Sequence, residues 1–148
     1  EEEPEEIESD ISIDAYIPEK YIEDESQRMK AYQRIASMEE DEREELLSEL
    51  SDIYGEPPQP LLNLIDIRLL KIFAKKIGAV GVEIKHSHCK LTLKGMDALK
   101  ESVMDALEKF SAHALLSFSG DKPEILFKGK RSSGKALRLV TDFCREAV

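Results

Sequence analysis

From residue 11 onward the apolar side chains recur with a spacing that changes along the chain, and each change predicts an element. Ile11, Ile13, Ala15 and Ile17 alternate with polar residues, the period of a half-buried strand, and Pro18 ends the run because it has no N–H to give a ladder. Asp24 is placed to cap a helix running to Ala36, with Gln27 three residues on in the capping-box position. Met29, Tyr32, the aliphatic stem of Arg34, and Ile35 give that helix its expected packing face. A second helix is expected from about Met38 to Tyr54, with Ser37 and Glu40 as its start signal. Its Leu46, Leu47, Leu50, Ile53 and Tyr54 lie at helical spacing, and Glu42, Glu45, Glu49 and Asp52 occupy the polar side. Gly55 suits a left-handed helix stop, and Pro57, Pro58 and Pro60 follow as breakers.

Gln59 to Ile77 is apolar around much more than one stripe, which predicts a central core helix halted by Gly78. The period then falls to two: Val80, Val82 and Ile84, then Leu91 and Leu93, predict a strand pair. Met96 to Phe110 returns to helical spacing. Leu115 to Phe118 and Glu124 to Phe127 predict another strand pair, turned by Gly120-Asp121-Lys122-Pro123, and Ser132 or Ser133 caps a last helix through Leu137, Val140, Phe143 and Cys144. The order strand, three helices, two strands, helix, two strands, helix, with hairpin-length links, predicts an α+β fold with a small, mainly antiparallel sheet. No repeat of solenoid length is present.

The 148 residues fit one domain, expected over 11–148 behind an acidic linker or tail at 1–10, where apolar residues are too few to offset the entropy of ordering. The start Glu1-Glu2-Glu3-Pro4, without Met, is expected of a segment of a larger polypeptide. Two cysteines, Cys89 and Cys144, far apart and without zinc-finger spacing, suit free thiols and a cytoplasmic setting, and no apolar run has the ~18 residues of a membrane span. Residues 1–58 hold 21 acidic against 5 basic residues, whereas 59–148 hold 10 against 16. That segregation suits the amino half to a basic partner.

Several clusters offer chemistry. Gly129-Lys130-Arg131-Ser132-Ser133-Gly134-Lys135-Ala136 has the glycine and lysine spacing of a phosphate-binding loop between a strand and a helix. Ala136 leaves no hydroxyl for magnesium, the preceding strand belongs to a hairpin, and no apolar run ending in Asp follows, so the loop offers anion-binding geometry without hydrolysis. Lys130, Arg131, Ser132, Ser133, Gly134 and Lys135 are the residues that would hold a phosphate or sulfate at the helix start; the bland alternative is a Gly-Ser turn. His86-Ser87-His88-Cys89 gathers three metal-ligand types, but a further ligand would have to come from His113 or Cys144, and a polar turn accounts for it as well. Lys128, Lys130, Arg131, Lys135 and Arg138 suit contact with a phosphate backbone, such as DNA, yet lack interleaved aromatics. Glu45 and Glu49, one turn apart on an acidic surface, have no apolar pocket to split their pKa values for acid–base work.

Three blocks carry a family resemblance: Ile13-Asp14-Ala15-Tyr16-Ile17-Pro18 with Gln27-Arg28 and Tyr32-Gln33-Arg34-Ile35; Glu49-Leu50-Ser51-Asp52-Ile53-Tyr54-Gly55-Glu56-Pro57-Pro58-Gln59-Pro60; and the apolar run Leu69 to Gly78. In this order they resemble the C-terminal domain of bacterial transcription-repair coupling factors. From His86 onward no match is comparably sharp. The resemblance implies a non-catalytic regulatory domain with no cofactor of its own, in a parent that uses ATP and magnesium in motor domains absent from this chain. It also implies autoinhibition, in which the domain docks on a UvrB-like module and masks UvrA binding in a DNA translocase that displaces stalled RNA polymerase. The acidic positions implied to face that module are Glu49 and Asp52; Glu45, one turn earlier, extends the stripe by helical spacing.

Overall fold

Asp24 starts the first helix as its sequence position requires: its carboxylate accepts from the Gln27 N–H at 2.9 Å, and α1 runs Glu25–Ala36. The computed structural model describes residues 6–86 and 88–148. After α1 come α2 (Arg43–Tyr54) and α3 (Gln59–Lys76), then β2 (Ala79–Ile84), β3 (Cys89–Leu93), α4 (Glu101–Lys109), β4 (Ala114–Ser117), β5 (Glu124–Phe127) and α5 (Ser133–Ala147), all preceded by β1 (Glu8–Ile11). The fold is α+β as expected. Its five strands lie in the order β1-β2-β3-β5-β4, antiparallel except for the β1–β2 pair.

The chain divides into two compact units: residues 13–72, and residues 73–148 together with the segment up to residue 12. In the first, α1 buries Ala31 and Ile35, and α2 buries Leu46 and Leu50. Arg68 Nε donates to Met38 O at 2.9 Å, holding the α1–α2 link to α3. The start signal expected for the second helix belongs elsewhere. Ser37 closes α1, its N–H donating to Gln33 O, and a 3-10 turn over Glu40–Glu42 precedes α2. Glu42 accepts from the Glu39 N–H at 2.8 Å, so the capping exchange lies two residues downstream of the expected one.

In the second unit β2 and β3 pair Val82 with Leu91 and Ile84 with Cys89, and these four side chains fall on the buried face with Ile125 and Phe127 of β5. The core aromatic is Phe143, fully buried in α5 and met edge-on by Phe110 and Phe127 at centroid distances of 5.5 Å each. Such pairs add about 0.5–1.5 kcal/mol beyond area burial. Gly78, at φ +84°, turns the chain from α3 into β2; a Cβ there would lie 3.1 Å from that of Ala98.

Two expectations at the amino end are corrected. The strand is Glu8–Ile11, so residues 8–10 of the expected tail pair with β2, while residues 1–5 lie outside the described residues. Residues 12–17 keep the predicted alternation of exposure without forming a ladder. The Ser12 N–H still donates to Ile84 O of β2 at 2.9 Å, but further on the partners are a side chain and a helix start: the Ile17 N–H donates to Tyr32 Oη at 2.8 Å and the Tyr16 N–H to Pro60 O at 3.2 Å. Period-two burial reports an extended chain, not the identity of its partners.

Candidate functional site

α2 places Glu45, Glu49 and Asp52 on one stripe because residues four and seven apart return to the same helix face. Leu46 and Leu50 anchor the opposite side, 1% and 6% exposed, while all three carboxylates are exposed. The helix ends at Gly55, whose φ of +88° is the left-handed value for which glycine carries no Cβ penalty. Tyr21 secures that end: its hydroxyl lies 2.7 Å from Gly55 O and 3.1 Å from Leu50 O, and its ring packs on Tyr54 at 5.6 Å. Burial, and then the Tyr54 hydroxyl, push the Tyr21 pKa up.

Arg34 of α1 changes the picture of this stripe. Its guanidinium hydrogen-bonds the Glu49 carboxylate in an exposed ion pair, and Glu45 and Glu42 act on it at longer range. The hydrogen bond from Arg34 lowers the Glu49 pKa, and the same bond raises that of Arg34. The expected role of Arg34, an aliphatic stem on the packing face, is therefore replaced by a charge role, and Met29, expected on the same face, is 53% exposed. Ile53, also expected in the core, is 68% exposed one turn beyond Glu49. The sequence signal for the ion pair was present only as complementary charge on adjacent predicted helices, which does not fix which acid is reached.

The glycine-lysine loop joins β5 to α5. β5 is antiparallel to both neighbours, unlike the parallel strand that precedes nucleotide-binding loops. Ser132 caps α5, accepting from the Lys135 N–H at 3.3 Å, and Ser133 and Gly134 form its first turn. Arg131 folds back to donate to Lys128 O, leaving Nη1 buried without a hydrogen-bond partner, while Lys130 and Lys135 are exposed. Gly129, at φ +92°, allows this, since a Cβ there would meet Arg131 Nη2 at 3.1 Å.

The histidine turn separates its ligand types. His88 Nε2 is 2.8 Å from Glu83 Oε2 at the surface, whereas Cys89 faces the core, where burial pushes its pKa up. Ser87 lies outside the described residues, and among those described no group of three or more His, Cys, Asp or Glu is placed to hold a metal ion. A depression over β1, β2 and β3 is lined by Glu8, Asp10, Gly81, Glu83, Lys90 and Thr92. Its charges are largely satisfied locally, Asp10 by Lys85 at 2.7 Å and Lys90 by Glu124 at 3.0 Å. Among the described residues no helix is long and apolar enough to cross a membrane.

Comparison with known proteins places these features in context. The pattern of the family described as the TRCF domain matches residues 11–103. The transcription-repair-coupling factor of Borreliella burgdorferi is 27% identical over 134 residues, 88% of this chain and 12% of that protein. That of Myxococcus xanthus is 36% identical over 96 residues, 63% of this chain and 8% of the relative. The chain thus spans about a tenth of the length of these relatives. A crystal structure of the C-terminal domain of a transcription-repair coupling factor superposes with a TM-score of 0.83 at 24% identity, covering 96% of this chain and 91% of the other.

Proposed function

Because the chain belongs to the TRCF domain family, we propose that it is the non-catalytic regulatory domain of a transcription-repair coupling factor. In this reading it docks on the UvrB-like module of the same polypeptide and masks UvrA binding until the motor engages stalled RNA polymerase. ATP, magnesium and DNA are used by the motor domains of the parent. The observation that carries the reading is the exposed acidic stripe of α2, with Glu45, Glu49 and Asp52 displayed on a helix whose other face is locked into the core.

The physics of a latch favours such a surface. A contact that must release cannot depend on a large apolar area, which would be exposed each time it opened, whereas charge pairs orient two bodies at modest affinity. Tethering in one polypeptide supplies effective concentrations of order mM, so weak docking suffices. The alternative, a phosphate-, nucleotide- or DNA-binding domain using Gly129–Lys135, is the weaker reading because Arg131 is turned back onto the backbone of its own loop. Replacing Glu49 and Asp52 together by Lys in the full-length polypeptide is expected to unmask UvrA, seen as at least tenfold tighter UvrA binding in a titration. Unaltered UvrA affinity in that variant rejects the assignment of these residues.

A further inference from the structure

Resting on the docking reading above, we propose that Arg34 is a built-in competitor for the acidic stripe, so that the charge α2 offers a partner freely is Asp52 rather than Glu49. Three observations converge. Arg34 pairs with Glu49 across α1 and α2, and its charge also feels Glu45 and Glu42, so one cation serves the first part of the stripe. Asp52, exposed one turn further on, has no ion pair among the described residues. Beside it Ile53 stands 68% exposed, an apolar group at the unscreened end of an otherwise polar face.

A basic partner approaching Glu49 must displace or share Arg34, and it meets the repulsion of that guanidinium as it does so. At Asp52 it meets neither. The partner site that fits is therefore a Lys or Arg next to an apolar recess large enough for the Ile53 side chain, because desolvation by Ile53 strengthens the charge pair beside it. Arg34 sets the strength of the latch: by neutralising part of the stripe it lets the partner go, while the remaining carboxylates steer the partner in.

Exposed ion pairs have measured strengths that correspond to about a two- to fivefold change in an equilibrium. In the full-length polypeptide, Arg34→Gln is expected to tighten docking and so weaken apparent UvrA binding about two- to fivefold at low salt, with a smaller change at high salt. Arg34→Lys, which keeps the charge, is expected to restore most of the original affinity, and equal thermal melting of the two variants separates this from a folding defect. Asp52→Asn is expected to unmask UvrA more strongly than Glu49→Gln. If Arg34→Gln leaves UvrA binding unchanged or tightens it, or if Glu49→Gln has the larger effect, the competitor role is overturned while the docking surface stands. If the Lys reversal of Glu49 and Asp52 also has no effect, the docking reading itself has failed.

Discussion

Cys144 is fully buried in α5, and burial raises its thiol pKa far above the ordinary range. In the unfolded chain a thiol ionises near pH ~8.5. The folded state then holds a proton that the unfolded state has released, so stability is fully present below that pH and falls as pH rises through it. The slope of this single group is about 1.4 kcal/mol per pH unit. Urea unfolding at successive pH values is expected to show this decline from about pH 9, and Cys144→Val is expected to remove that contribution. The burial of Cys144 was legible in the sequence from its place on the periodic face of the last helix. Arg34 was not legible in the same way, because a long side chain with an apolar stem and a charged head fits either face of a helix. Its role was decided by which carboxylate lay within reach.

Helices that begin with a capping side chain or end at a positive-φ glycine were legible in the sequence, as Asp24, Ser132 and Gly55 illustrate. The element misplaced was β1, and the reason is energetic. An edge strand gains its stability from one row of backbone hydrogen bonds, so it tolerates Glu8 and Asp10, and charge on an edge also blocks pairing with other chains. Composition therefore gave no warning of order. At α2 the element depends on a residue outside it, since the Tyr21 hydroxyl donates to Gly55 O, a carbonyl beyond the last intrahelical bond, at 2.7 Å. Tyr21→Phe keeps the ring contact with Tyr54 and removes the hydroxyl; a loss of about 1 kcal/mol is expected in chemical unfolding.

The two halves of the sequence differ sharply in charge, but the molecule is not divided at the prolines. Counted by compact unit, residues 13–72 hold 15 acidic against 7 basic residues, and the remainder holds 16 against 14. The difference shrinks in part because β1, with Glu8 and Asp10, pairs with β2 and so belongs with the sheet. What persists is the acidity of the unit that carries α2, which leaves the proposed docking stripe on a surface of matching sign. The sequence order of strands and helices was enough for the fold class, whereas the partner of β1 was hidden because parallel pairing leaves no hairpin signal.

The parallel pairing of β1 with β2 also sets a problem in time. Glu8 meets Gly81 across roughly seventy intervening residues, and closing so long a flexible segment costs about 4 kcal/mol of chain entropy before the first strand bond forms. The unit between the two strands shortens that search if its own two ends are fixed early. Asn63 is placed to fix one of them: its amide donates to Asp14 O at 2.9 Å while its carbonyl accepts from Gln59 at 2.8 Å, tying the residues just after β1 to the first turns of α3. Asn63→Ala is therefore expected to act mainly on the speed of assembly. In stopped-flow measurements its destabilisation should fall on the refolding rate, with unfolding little altered; the opposite partition would mean that β1 docks only after the chain has otherwise folded.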